Sequence, residues 1–487
     1  MIKSIKFSKM KKKIILTAIT ILVIYLVSFS FTGKGTFSVL ENFLYKDQVY
    51  KIKKYLFPYK IIAEKDRKII DIEYDEKKRI FSYLFELELN FIKSLENINI
   101  NKVKDVKLPN NKNMSKFTID NGFYSAKFAL HPGGYIEIYD DTFFIMSSRG
   151  ILGFGKSLED KNFKQIENNL NDFIGLKQFN KRIPFSLRDL FIHKGKIFIS
   201  YLEEIEEDCH NTSLLYADLN YKSIKFKKLS FDDSNSCINA IVGLKKLSRE
   251  DYLVVTRKNN NIDNEFNAMQ SGGRIINYDD NHILFTVGEY RNRFLAQEKE
   301  SINGKILKIN IDKSTYEVIS MGHRNPQGLF HDRENGFLLE TEHGPMGGDE
   351  INLIKINEKS EDGPLNYGWP MASYGEHMGG KIKDNNERYK KYPLYKSHSK
   401  YGFIEPLKYF NPAIGISEIT KIGKNNYVAG SMRDRSLYFF ELDSSKKIIN
   451  LERVEVFERV RDLEFKNNKL YLFLEETASI GVIDFTY

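Results

Sequence analysis

Asp462–Glu475 reads DLEFKNNKLYLFLE. Apolar and polar residues alternate up to Lys466, the polar pair Asn467-Asn468 interrupts, and a more apolar run follows from Leu470. A period of two puts successive side chains on opposite faces of a strand, and a short Asn- or Gly-bearing turn joins two such strands as a hairpin. The pattern recurs upstream. Tyr135–Ser147 (YIEIYDDTFFIMS) turns on Asp140-Asp141, and Asp189–Ser200 (DLFIHKGKIFIS) turns on Lys194-Gly195. Arg274–Gly288 turns on Asp279-Asp280, Gly328–Gly344 on Glu334-Asn335-Gly336, and Glu418–Ser431 on Asn425-Asn426. Six hairpins, starting about 65 residues apart on average, signal a repeat wound around an axis. The reading predicts an all-β, six-bladed β-propeller over residues 105–487, because radial repetition leaves only short, protected sheet edges. Irregular spacing implies loops inserted between blades. A string of β-sandwiches is the alternative, and it calls for cleaner linkers.

Composition bounds the rest. The 487 residues include 36 Phe and 28 Tyr, and 41% are hydrophobic, enough to build a large core. A charged fraction of 29% excludes a polytopic membrane protein. The net charge of +9 is concentrated in Lys3, Lys6, Lys9, Lys11, Lys12 and Lys13, so the remainder carries no footprint for phosphate backbones. These lysines form a basic stub over residues 1–13, expected to be cytoplasmic. Residues 14–32 follow as a transmembrane signal-anchor; uncharged Ile14–Phe31 would span about 27 Å as a helix. A cleaved signal peptide is the alternative, though Ser28-Phe29-Ser30-Phe31 lacks the small-residue exit. Residues 33–104, poor in Gly and Pro, read as a helical membrane-proximal segment. The propeller would then stand on the periplasmic or extracellular side. Cys209 and Cys237 could be bridged in such a compartment or remain thiols.

Walker A, H-E-x-x-H, EF-hand and G-x-S-x-G signatures are absent from the sequence. The chemically dense stretch is Gly322–Pro370, where His323, Arg324, Asn325, Gln327, His343, Asp349 and Glu350 crowd Gly- and Pro-rich turns. Loops at one end of a rigid β scaffold are where sites form. Ordinary solvated turns are the plain alternative.

The ordered pieces Gly322-His323-Arg324-Asn325-Pro326-Gln327-Gly328, Glu342-His343-Gly344-Pro345, Gly348-Asp349-Glu350-Ile351-Asn352 and Asn366-Tyr367-Gly368-Trp369-Pro370 resemble the glucose/sorbosone dehydrogenase family. Gly272-Gly273-Arg274, Thr286-Val287-Gly288 and Arg459-Val460-Arg461-Asp462 extend the likeness over roughly residues 185–487. These are soluble quinoprotein aldose dehydrogenases that use pyrroloquinoline quinone (PQQ), and their fold is a six-bladed propeller. The resemblance implies oxidation of a sugar C1 hydroxyl by hydride transfer to calcium-bound PQQ. It places Arg324, Asn325, Arg459 and Arg461 on quinone- or substrate-contacting positions, and Arg433 where such enzymes often carry Lys. Planar guanidiniums suit a tricarboxylate, and Arg459 and Arg461, two apart on a strand, point the same way. An exposed strand face is the bland reading of that pair. Gly344 and Pro345 fall on carbonyl ligands of the quinone-bound calcium; Glu350 and Tyr367 fall on positions that help hold a second, structural calcium.

One departure bears on turnover. The family's general-base histidine precedes Gly-Gly-Arg, and here that position is Met269 or Gln270, neither of which accepts a proton at neutral pH. His343 is the substitute base the sequence offers. A catalytically silent propeller that binds a sugar, glycan or protein outside the membrane is therefore the second reading. A calcium-dependent propeller hydrolase is the third, on fold analogy alone. The electron acceptor is not legible.

Overall fold

The computed structural model describes residues 97–119, 133–148, 150–160, 162–174, 186–206, 209–231, 270–356, 358, 363–377 and 387–485. Each of the six hairpins read from the sequence opens a sheet. Tyr139 pairs with Thr142 across Asp140 and Asp141 (φ 45° and 58°), and Lys466 pairs with Lys469 across Asn467 and Asn468 (φ 51° and 57°). Consecutive positive φ values match the right-handed twist of the flanking strands, and Asp and Asn tolerate them best after Gly.

Sheet I holds Gly134–Tyr139, Thr142–Ser147, Leu152–Gly155 and Asn162–Gln165. Sheet II holds Leu187–His193, Lys196–Glu206, Cys209–Asp218 and Lys227–Leu229. Sheet III runs Gly272–Asn277, His282–Val287, Lys305–Asn310 and Thr315–Met321, with Leu365–Asn366 added at its edge. In sheet IV, Pro326–Asp332, Phe337–Glu342 and Asp349–Lys355 are completed by Lys408–Phe410. Sheet V comprises Ile416–Lys421, Asn426–Ser431, Ser436–Leu442 and Ile448–Glu455. In sheet VI, Val460–Lys466, Lys469–Leu474 and Ser479–Asp484 are completed by Asn113–Ile119 from far upstream. The fold is all-β and propeller-like. The first strands of the sheets touch one another in order I, II, III, IV, V, VI and back to I.

Hydrophobic clusters fill the spaces between neighbouring sheets. Leu284, Ile306 and Ile319 of sheet III meet Leu329, Leu338 and Ile354 of sheet IV. Ile136, Phe143 and Ile145 of sheet I meet Phe473 and Ile480 of sheet VI. Each such fully buried side chain contributes about 1.5–3 kcal/mol.

Asn97–Lys102 departs from the sequence reading, which places it in the helical membrane-proximal segment. It is a strand that pairs with both Asn113–Ile119 and Asn162–Gln165, fusing sheets I and VI. The reason is local: NININK alternates, and Ile98 and Ile100 fill one face. The proposed stub, anchor and most of the membrane-proximal segment lie outside the described residues, as do Met269 and Cys237 and the side chain of Cys209. Among the described residues no helix is long and apolar enough to cross a membrane.

Buried carboxylates staple the sheets near the axis. Asp462 Oδ2 accepts the Ile136 amide (2.8 Å), Asp189 Oδ2 the Ile275 amide (2.7 Å) and Asp349 Oδ2 the Gly415 amide (2.6 Å). The buried Arg274 guanidinium binds Asp189 and Asp462 through Nη1, each at 2.7 Å, and pairs with Glu418 through Nε. One cation thus joins sheets II, III, V and VI. Glu137, also buried, has no ion pair among the described residues, and burial pushes it up to about 8.

Candidate active site

Residues at the start of the first strands of sheets IV and VI, and just past the end of their second strands, form one polar network. Val460 pairs opposite Leu474, which sets Glu475 beside both arginines that flank Val460. Arg459 Nε donates to Glu475 Oε2 (2.6 Å) and Arg461 Nη2 to Oε1 (2.5 Å). These two guanidiniums hold the buried Glu475 carboxyl below the usual carboxylate range despite desolvation. From Arg461 the network continues through Gln327 Oε1 (3.5 Å). Gln327 Nε2 donates to Asn325 Oδ1 (3.0 Å), and Asn325 Nδ2 reaches His343 Nδ1 (3.3 Å).

Arg324 stands at the other end. It is 7% exposed, and its Nη1 donates to the carbonyls of His343 (2.8 Å) and Gly344 (2.6 Å). Its guanidinium carbon lies 5.3 Å from the Trp369 ring centroid. Its backbone is fixed on both sides: the amide donates to Glu342 Oε2 (2.5 Å), and the carbonyl accepts from the Glu289 amide (2.9 Å). The turn that carries Gly344 is tight. A Cβ there would sit 2.1 Å from the Gly348 carbonyl oxygen, and Asp349 Oδ1 holds the Gly344 amide at 3.0 Å. That geometry aims the Gly344 carbonyl at a cation, here the guanidinium.

The sequence candidates divide accordingly. Arg324, Asn325, Arg459 and Arg461 belong to the network; Arg433 is exposed, and its side chain makes no hydrogen bond or ion pair among the described residues. Pro345 is buried in the same turn as Gly344. Glu350 is buried, with Oε1 3.7 Å from His398 Nε2, and burial beside Glu342 raises it well above the carboxylate range. The Tyr367 phenol is committed to the Leu353 carbonyl (2.6 Å), so only its main chain is left to serve a cation.

His343 is a poor base. Nε2 donates to the Ile416 carbonyl (2.6 Å), Nδ1 faces the Asn325 amide, and burial lowers its pKa. Both nitrogens are engaged, and burial disfavours the protonated ring. Gln270 adjoins the site through its carbonyl, which accepts the Tyr290 amide (3.0 Å). Next to Tyr290 lies Glu289, 1% exposed, whose carboxylate accepts no well-formed hydrogen bond. Burial raises its pKa, opposed first by Arg324, then by Arg293 and by the backbone amide of Arg291.

A family model described as glucose/sorbosone dehydrogenase matches residues 191–482. The chain belongs to this family. Three relatives place it further. A stretch of 222 residues is 30% identical to an uncharacterized protein of Synechocystis, covering 39% of this chain and 50% of that one. Over 230 residues it is 25% identical to the aldose sugar dehydrogenase of Escherichia coli, covering 42% and 57%. Over 138 residues it is 32% identical to quinoprotein glucose dehydrogenase B of Acinetobacter calcoaceticus, covering 22% and 27%. The matches thus span about half or less of these relatives' lengths. In fold, the chain is similar to a crystal structure of glucose dehydrogenase (TM-score 0.55, 19% identity, 80% of this chain and 99% of that one). It is also similar to the PQQ-bound aldose sugar dehydrogenase of Streptomyces coelicolor (TM-score 0.51, 14% identity, 80% and 99%).

For this glucose/sorbosone dehydrogenase family member, the sequence does not single out Glu289 or Glu475 as site residues, and it shows Gln327 within the dense stretch without its bridging role. Glu289 had a signal, since it directly follows the family piece Thr286-Val287-Gly288. Glu475 had none, because only the pairing register brings it to Arg459 and Arg461.

Proposed function

We propose that this chain is a membrane-anchored sugar (aldose) dehydrogenase, a six-bladed propeller that oxidises a sugar or related polyol with PQQ and calcium. The observation that carries the reading is the continuous path Arg324–His343–Asn325–Gln327–Arg461–Glu475–Arg459. Arg459 and Arg461 share one carboxylate, so the pair keeps a net positive charge suited to a polyanion. The residues present fit the cofactor on this ground. Arg324, Arg459 and Arg461 would hold its carboxylates, Asn325 would orient it, and the Gly344 and Pro345 carbonyls would face the ion. PQQ supplies a two-electron hydride acceptor, and calcium beside it supplies Lewis-acid polarisation.

The chain must also take the proton of the C1 hydroxyl. Glu289 is our candidate, because burial raises its pKa above the ordinary carboxylate value, which strengthens it as a base, and neither carboxylate oxygen has a well-formed hydrogen bond. Glu289 would take the proton of the C1 hydroxyl, and bound PQQ would supply the acceptor for the two electrons and the C1 hydrogen. Ile14–Phe31 would anchor the protein with the propeller on the periplasmic or extracellular side.

The test is calorimetric titration of PQQ into calcium-loaded protein, followed by dye reduction with a panel of aldoses. One equivalent bound and sugar-dependent reduction are expected; no binding at micromolar quinone ends the proposal. A silent, ligand-binding propeller is favoured by one feature, Met269 or Gln270 at the position where the family carries histidine. On that reading Gln270→His or Met269→His would switch on sugar oxidation that the wild type lacks.

A further inference from the structure

Behind Arg324 lies a buried cluster that touches the site only through Glu342, which holds the Arg324 amide. His323, Glu340 and Glu342 are 0%, 0% and 4% exposed, and their ligand atoms all lie within 4.8 Å of one another. His323 Nδ1 is 3.6 Å from Glu342 Oε1 and 3.9 Å from Glu340 Oε2. Two donors bound at about 2.0–2.2 Å to one tetrahedral ion stand about 3.4 Å apart, so these separations are near the edge length of a metal polyhedron.

The cluster is also chemically incomplete. His323 Nε2 is satisfied by Ser320 Oγ (2.8 Å), which leaves Nδ1 as the inward atom, fully buried and without a hydrogen-bond partner. Glu340 Oε1 is likewise buried and unpartnered. Asn352 Nδ2 donates to Glu340 Oε2 (3.0 Å) and Glu342 Oε1 (3.2 Å), the two oxygens that face His323 Nδ1, and so holds the two carboxylates together. The Tyr367 ring stacks on His323 at 4.9 Å and holds its orientation. Among the described residues no Lys or Arg forms an ion pair with Glu340, Glu342 or Glu350. Buried carboxylates without a cation are costly, and a bound divalent ion is one remedy.

We infer that His323, Glu340 and Glu342 bind a first-row divalent cation, with zinc the best match to one imidazole nitrogen and two carboxylates. The site differs from the calcium position implied at Glu350 and Tyr367 in its donors, and a nitrogen ligand disfavours calcium. Glu342 Oε2 holds the Arg324 amide, so the ion would brace the loop that carries Arg324. The inference does not depend on the sugar-oxidation reading.

The test uses the full chain, stripped with chelator, desalted, and loaded with zinc chloride. One tightly held zinc per chain and a raised thermal midpoint are expected. Zinc X-ray absorption on the wild type should show one imidazole nitrogen among oxygen ligands. Glu340→Gln keeps the volume and an acceptor for Asn352, and should weaken zinc binding at least about tenfold. Failure of the wild type to retain zinc would overturn the inference. So would a shell without imidazole, or stoichiometric binding unchanged in both His323→Gln and Glu340→Gln. If PQQ titration fails while zinc loads as described, only the dehydrogenase proposal falls.

Discussion

Arg324 Nη1 lies 2.6 Å from the carbonyl oxygen of Gly344. The carbonyl assigned by resemblance to a calcium ion therefore already accepts from a cation of the chain itself. Removing that cation exposes the design of the turn. Arg324→Ala should lose about 2 kcal/mol, the scale of hydrogen bonds from a charged donor, because two carbonyls would be left without their partner. Urea denaturation measures this, and unchanged stability would show that the guanidinium is incidental to the turn.

Glu475 binds Arg459 and Arg461 from one buried carboxylate. Glu475→Gln leaves both guanidiniums without their counter-charge and should cost about 3 kcal/mol. Because its folded pKa is depressed, its contribution is present above the unfolded carboxylate value and fades as pH falls through the lowered one. The wild type should therefore lose an acid-labile share of stability that Glu475→Gln does not have. Thermal melts of both proteins between neutral and strongly acidic pH check it.

Glu137 gives the opposite slope. Its folded pKa, near 8, lies above the unfolded value of about 4.3, so the protonated form is favoured by the fold. Its contribution is complete below the unfolded value, declines as pH rises, and is gone above about 8. Melting temperature should drop between pH 6 and pH 9, and Glu137→Gln should flatten part of that drop. A wild-type melting temperature that rises over this interval would contradict the assignment.

Glu289→Gln tests the proton acceptor. If the chain oxidises sugars, the substitution should lower kcat by about 10²–10⁴-fold while quinone affinity, read by titration, is nearly unchanged. A parallel loss of quinone binding would instead make Glu289 a structural counter-charge for Arg324.

The hairpins were legible because their turns need residues that tolerate positive φ, and Asp140-Asp141, Lys194-Gly195 and Asn467-Asn468 announce that need locally. The spacing of Arg459 and Arg461 was legible for the same reason, since strand alternation is a two-residue rule. The buried acids were not. Asp189, Glu418 and Asp462 read as ordinary strand residues until three sheets bring them to Arg274, and Glu340 acquires its neighbours only when Phe337–Glu342 pairs with Asp349–Lys355. Asn97–Lys102 was misassigned because the composition upstream of it is rich in helix formers, which outweighed a four-residue alternation. Arg433 was a family position rather than a physical necessity, and the fold leaves it exposed.

Asn113–Ile119 completes a sheet whose other three strands come from the opposite end of the described sequence. No local stretch can finish that sheet, so the slowest assembly step should be the docking of this early strand onto Ser479–Asp484. Until then the edge of the last sheet offers unpaired amides to any passing strand, a vulnerability to misassembly that ends when the circle is latched.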